Sequence, residues 1–141
     1  SLLKTGIFMN FSAPFNNILL LDDTDVDLFI SKKIIEAANF AKSISSFRSG
    51  SDALLDLREK INTGHHWPDL CFVDVRMPEM DGFEFISKAG ALAPKNIPTK
   101  FILITSELSE EIKMKAKQHS SIYKVLRKPF TIEDLQTLLP E

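Results

Sequence analysis

Five side chains suited to phosphoryl chemistry stand where apolar runs of this sequence end: Asp22, Asp23, Asp74, Thr105 and Lys128. Asp74 is the most telling. Leu70-Cys71-Phe72-Val73 delivers it, and the Pro/Gly-punctuated turn Val75-Arg76-Met77-Pro78-Glu79-Met80-Asp81-Gly82 follows at once. Ile18-Leu19-Leu20-Leu21 delivers Asp22 and Asp23 in the same manner. Phe101-Ile102-Leu103-Ile104 ends at Thr105, and Val125-Leu126 leads to Lys128-Pro129. Such runs read as buried strands, and open α/β sheets bind ligands beyond the carboxyl ends of their strands. Three carboxylates gathered there repel: at ~4 Å and an effective dielectric of ~20, each pair costs about 4 kcal/mol. The cluster therefore calls for a cation or for shifted pKa values. Oxygen-only ligands at a phosphate site suggest Mg²⁺, which takes one or two carboxylates together with substrate phosphate. With an amine and a hydroxyl added, these are the parts of metal-assisted phosphoryl transfer.

The elements that must hold these groups alternate along the chain. A strand at about 18–21 precedes a helix at about 26–38, and a second strand at about 42–47 leads to Ser49-Gly50-Ser51-Asp52. Ser51 or Asp52 is a natural N-cap for a helix carrying Leu54, Leu55, Leu57 and Ile61, which Thr63-Gly64 ends. The Asp74 strand follows, then a helix from Asp81-Gly82, a fourth strand at 100–104 and an exposed helix at about 109–119. A fifth strand at about 122–126 and a final helix capped by Thr131 and running to Leu139 complete the series. Alternation of this kind predicts βαβ units, hence an α/β fold with a parallel sheet covered by helices on both faces.

The ordered set D-D, D-x-x-M-P-x-M-D-G, T and K-P resembles the receiver domain of two-component response regulators, over nearly all of the chain from Asn17 to Leu139. The resemblance implies a doubly wound, five-stranded, flavodoxin-like sheet of order 2-1-3-4-5, with Asp22, Asp23 and Asp74 on neighbouring strands. It implies that Asp74 is the phosphoacceptor. Asp23 and Asp74 would bind Mg²⁺ directly, with the backbone carbonyl of Arg76, and Asp22 would act through water. Lys128 and Thr105 would take phosphoryl oxygens, and the peptide before Pro129 would be cis. The donor would be a histidine kinase or a histidine phosphotransfer protein, and the output a switched contact with a downstream protein. That makes a phosphoacceptor signalling domain rather than an enzyme. The chain departs from the pattern at Val125, where receivers commonly carry Tyr or Phe. Tyr123 lies two residues earlier, on the same face by strand periodicity. The expectation is a signal read through the Thr105-Ser106-Glu107 loop, with Arg76 and Glu107 paired across the mouth of the site.

Other readings of the parts are weaker. Asp25 and Asp27 read as ordinary acids in the first turn of a helix. Asp23-x-Asp25-x-Asp27 imitates the start of an EF-hand loop, but Leu28 stands where that loop needs Gly and Ile34 where it needs Glu. His65-His66 has no carboxylate or Cys at ligand spacing. A haloacid-dehalogenase-type phosphohydrolase would need Thr or Val at position 27, where Asp stands, and a late acidic pair that is missing after Lys128.

At 141 residues, 44% hydrophobic and 26% charged, the chain suits one soluble domain. A net charge of −2 offers no basic surface for nucleic acid. A single cysteine, Cys71, sits in an apolar strand and agrees with a reducing, cytoplasmic setting. Residues 1–16 carry Phe8, Phe11 and Phe15 but no continuous apolar block, so no signal peptide or membrane span is expected. They read as a flexible arm or a packed extension ahead of a receiver spanning 17–141. The last helix ends at the chain's end, so the expectation is a receiver without an output domain, stand-alone or cut from a larger protein.

Overall fold

The computed structural model describes residues 12–140. Five strands and five helices alternate: β1 (Phe15–Leu21), α1 (Asp25–Ala37), β2 (Ala41–Phe47), α2 (Gly50–Thr63), β3 (Leu70–Asp74), α3 (Gly82–Leu92), β4 (Lys100–Thr105), α4 (Glu110–Lys117), β5 (Ile122–Arg127) and α5 (Ile132–Gln136). All pairings are parallel, in the order β2-β1-β3-β4-β5. The expected flavodoxin-like α/β architecture is thus present.

Strand periodicity divides the core. Ile18 and Leu20 of β1, Leu70 and Phe72 of β3 and Ile102 and Ile104 of β4 face one side, where Leu28 and Ile35 of α1 and Leu135 of α5 cover them. Leu19, Leu21, Cys71, Val73 and Leu103 face the other, against Ala53 and Leu57 of α2, Phe85, Ile86 and Ala89 of α3 and Ile112 of α4. β3 is central and buried along its whole length, which is why it reads as an unbroken apolar run. Edge strand β2 carries Ser43, Ser45 and Ser46, the composition of a strand with one open side.

Several boundaries differ from expectation. β1 starts at Phe15, because its ring packs on Phe40 at 5.1 Å and its N–H donates to the Phe40 carbonyl. Most of the expected N-terminal arm lies outside the described residues. The cap of α2 is Ser49, not Ser51 or Asp52: its hydroxyl accepts from the Asp52 N–H. Gly64, at φ 73, closes that helix in the left-handed region. α5 stops at Gln136, and tighter bonds from the Leu138 and Leu139 N–H groups carry the chain onward. Thr131 does cap α5, in a reciprocal capping box with Asp134.

Candidate functional site: an acidic pocket at the carboxyl end of the sheet

The strand order places the site. β1 lies beside β3 with Leu21 opposite Val73, so Asp22 and Asp23 leave β1 next to Asp74, the last residue of β3. β4 ends at Thr105 on the other flank, and Lys128 follows β5 directly. The ladder runs past the strand ends: the Asp22 N–H donates to the Phe47 carbonyl, Val75 N–H to Ile104, and Lys128 N–H to Thr105. These bonds fix the backbone at Asp22, Thr105 and Lys128 and directly after Asp74.

Gly82 sets the floor beneath Asp74. Its N–H donates to the Val75 carbonyl at 2.9 Å, folding the Arg76–Asp81 turn back over the strand. A Cβ at this position would collide with the Asp74 carbonyl oxygen and press on Leu103. Asp81 then caps α3 by accepting from the Glu84 N–H at 2.8 Å. The D-G pair thus serves close approach and capping at once. Past Lys128, the buried Phe130 ring stacks on Phe72 at 5.1 Å and pins the loop, and the Lys128–Pro129 peptide is cis.

Asp22, Asp23 and Asp74 each bring a carboxylate oxygen within 4.8 Å of the others. Asp22 and Asp74 are buried. One Asp22 oxygen accepts from the Thr24 N–H at 3.1 Å, and the other accepts from Lys128 Nζ at 2.7 Å. Lys128 Nζ also lies 3.3 Å from Asp74 Oδ1. Burial pushes the Asp74 carboxyl up to about 6, helped by the charges of Asp22 and Asp23 and opposed by Lys128. Burial works against the Lys128 ammonium, yet its bonds to Asp22 and Asp27 and the charge of Asp74 outweigh it and hold its pKa above the usual range. The site carries more negative than positive charge, and every potential ligand is oxygen. A hard divalent cation such as Mg²⁺ fits that donor set.

Asp27 is the functional residue that sequence reasoning missed. Its Oδ2 accepts from Lys128 Nζ at 2.9 Å, and this bond holds its carboxyl below the usual range. It is a first-turn acid of α1, as expected, but it also belongs to the pocket. Helical spacing could have found it: Asp27 stands one turn after Asp23, on a helix that starts at the site. Asp25 keeps the ordinary role, paired on the surface with Arg48 at 3.4 Å.

Thr105 is buried, and its hydroxyl donates to the Glu107 carbonyl while accepting from the Glu107 N–H, both at 3.2 Å. Glu107 is engaged through its backbone. The expected Arg76–Glu107 ion pair is absent among the described residues, and both side chains are exposed. Arg76 instead lines an open cavity of about 510 Å³ with Glu111 and Lys115. Strand periodicity also fails at Tyr123. Phe101 pairs with Ile122 and Ile102 with Lys124, so Tyr123 is the extra residue of a bulge. Ile122 and Val125 pack on one core cluster, while the Tyr123 ring is half exposed beneath Lys100 Nζ at 4.1 Å. His65 and His66 are exposed, and His65 Nδ1 meets the Thr63 hydroxyl at 2.6 Å. Cys71 is fully buried, and burial drives its thiol pKa up.

The sequence model of the response regulator receiver domain matches residues 18–140. The chain belongs to that family. As a receiver of the two-component signalling type it has relatives on both sides of such systems. It is 27% identical over 139 residues to a probable methanogenesis regulatory protein, FilR2, of Methanothrix harundinacea, covering 99% of this chain and 88% of that protein. It is 28% identical over 123 residues to the sensor histidine kinase CheAY of Helicobacter pylori, covering 86% of this chain but 14% of the kinase. Over 68 residues it is 38% identical to probable histidine kinase 6 of Oryza sativa, which is 6% of that protein. The receiver is thus a small part of the kinases it matches. Among solved structures, a two-component response regulator from Cytophaga hutchinsonii superposes with a TM-score of 0.78 at 27% identity, covering 88% of this chain and 93% of that one. No helix among the described residues is long and apolar enough to cross a membrane.

Proposed function

We propose that this receiver accepts a phosphoryl group on Asp74 from the phosphohistidine of a histidine kinase or histidine phosphotransfer protein, and that the modification switches its contact with a downstream protein. One observation carries the reading: a buried carboxylate at the end of the central strand, within reach of a lysine whose side chain is largely covered and of two further acids. One Asp74 oxygen forms a bond to phosphorus while the phosphorus–nitrogen bond breaks, and the imidazole leaves with the electron pair. Mg²⁺ bound by Asp23, Asp74 and the Arg76 carbonyl, with Asp22 behind a water, would neutralise phosphoryl charge there. Lys128 offers its ammonium to a phosphoryl oxygen, and Thr105 its hydroxyl to another. For the latter, Thr105 must give up its bond to the Glu107 carbonyl, so the Ser106-Glu107 loop moves when the phosphoryl group arrives. With Val125 in the usual aromatic position, the signal leaves through this loop. The domain works in the cytoplasm, where its donors act.

A surface for the donor lies beside the pocket. Val26, Phe29 and Ile30 are exposed at helical spacing on α1, immediately after Asp23. Large apolar side chains grouped on one helix face mark a contact surface.

Incubation with acetyl phosphate and Mg²⁺ should label the wild type, and Asp74→Asn should remove the label. Labelling kept in Asp74→Asn but lost in Asp23→Asn would move the nucleophile to β1 and favour a haloacid-dehalogenase-type hydrolase.

A further inference from the structure

The lysine of this pocket is engaged by carboxylates on three sides before any phosphoryl group arrives, by two hydrogen bonds and one ion pair. An ammonium has three N–H donors and no acceptor. Three carboxylates meet Lys128 Nζ: Asp22 Oδ2 at 2.7 Å, Asp27 Oδ2 at 2.9 Å and Asp74 Oδ1 at 3.3 Å. They come from three places in the fold: the end of β1, the first turn of α1 and the end of β3. The Lys128 side chain is only 10% exposed, so water has little access to a free donor. A phosphoryl oxygen can reach the ammonium only by displacing one of the three.

The three are not equally free to leave. Asp22 is buried, and its second oxygen is tied to Thr24. Asp74 carries the incoming group. The Asp27 side chain is 38% exposed, and Lys128 is its one ion-pair partner among the described residues, with the Thr24 hydroxyl a weaker neighbour on its own helix cap. It can turn to solvent at small cost, since an exposed carboxylate is well hydrated.

We propose that Asp27 is a positioning residue acting through Lys128: it occupies the ammonium face that a phosphoryl oxygen must take, and phosphorylation proceeds by exchange of the one for the other. Asp27 then tunes how strongly the pocket holds a phosphoryl group, and it returns to Lys128 when that group leaves. This rests on the reading of Asp74 as phosphoacceptor. Asp25 provides the internal control. It sits in the same helical turn with the same charge, but pairs with Arg48 on the surface and does not touch Lys128.

The test is a titration with fluoroberyllate at saturating Mg²⁺ of the wild type, Asp27→Asn, Asp27→Ser and Asp25→Asn, read by calorimetry, with initial phosphorylation rates from acetyl phosphate alongside. Freeing one charge-assisted donor should tighten fluoroberyllate binding about tenfold in both Asp27 variants. Asp25→Asn should stay near the wild type, which separates the exchange from a general loss of negative charge. In a Lys128→Gln background, Asp27→Asn should have no effect. Wild-type affinity in the Asp27 variants, an equal gain in Asp25→Asn, or a gain that persists without Lys128 would overturn the proposal. If the wild type binds no fluoroberyllate, or binds it equally as Asp74→Ala, the acceptor assignment itself fails. Binding that depends on Asp74 but ignores Asp27 removes only the exchange.

Discussion

The two ends of this sheet are built from the same strands and solve opposite problems. At the amino end, polar groups mostly pair with one another locally, Asn17 Oδ1 being the buried exception. Asn17 Nδ2 donates to the Ser43 carbonyl and hydroxyl, the Thr99 hydroxyl donates to the Pro68 carbonyl at 2.6 Å, and the Asn16 N–H donates to Asp69 Oδ2 at 2.6 Å. Apart from Asp69, these bonds join neutral groups. At the carboxyl end, Asp22, Asp27 and Asp74 share one lysine with Asp23 beside them, and two of the acids are buried. Buried charge without full compensation is costly. The amino end leaves one neutral amide oxygen, Asn17 Oδ1, unpaired, while the carboxyl end lacks positive charge that a metal ion can supply. Function belongs where the electrostatics are unfinished.

The largest expected effect follows from that deficit. EDTA should reduce phosphorylation by acetyl phosphate to background, and Asp23→Ala should weaken Mg²⁺ binding more than Asp22→Ala, because Asp22 already holds Lys128 and Thr24. A thermal melt reports the same site: a ligand at 100 times its Kd adds about 2.7 kcal/mol to the native state. Equal labelling without a divalent cation would dissolve the contrast between the two ends.

Next in size is the pH dependence of the metal-free protein. The Asp74 carboxyl lies at about 6 in the fold against 3.8 as the reference value. A raised acid pKa means that the native state holds the proton more tightly than the unfolded chain. Stability from this group is therefore fullest below about pH 4 and falls as pH rises through about 4–6. The shift corresponds to about 3 kcal/mol. Asp74→Asn should thus raise the metal-free melting temperature at pH 7.5 and lose that part of the slope, and added Mg²⁺ should narrow the gap. A variant as labile as the wild type at pH 7.5 would show that Asp74 carries no such strain.

A third prediction concerns geometry rather than charge. Gly82→Ala forces a Cβ against the Asp74 carbonyl, so the turn or the strand end must shift. Overpacking of this kind costs about 1–3 kcal/mol. The fluoroberyllate response should weaken as well, since the displaced atom belongs to Asp74, the proposed acceptor. Loss of stability with an unchanged response would mean that the turn, and not Asp74, absorbs the strain.

What the sequence disclosed follows the same division. The apolar runs of β1, β3 and β4 and the acids at their ends are legible because a buried parallel strand has to be apolar and its exit need not be. Asp27 was hidden because its role depends on where Lys128, 101 residues away, comes to rest. Its spacing one turn after Asp23 places it near the site, but no local signal states its distance to that lysine. The Arg76–Glu107 pair looked plausible from symmetry about the site, but Glu107 uses its backbone to hold Thr105, and the two side chains stay apart. Tyr123 was misplaced by a bulge, because one extra residue reverses the alternation on which face assignments rest.

The smallest predicted effect decides whether that bulge matters. Tyr123 is the single tyrosine of the chain and sits near the start of β5, with Lys100 over its ring, at the amino end of the sheet. A cation–π contact this exposed is worth about 0.5–1 kcal/mol. Tyr123→Ala should cost no more than that in stability and leave the fluoroberyllate titration and the response to a partner unchanged. Val125→Tyr should do the reverse, placing a ring beside Leu103, Val125's partner in the sheet, and altering the partner response without touching metal affinity. If instead Tyr123→Ala abolishes the response, the ring reaches the pocket in the phosphorylated state, and the division between a quiet end and a working end of the sheet fails. If neither variant changes the response, the signal passes through Thr105 and the Ser106-Glu107 loop alone.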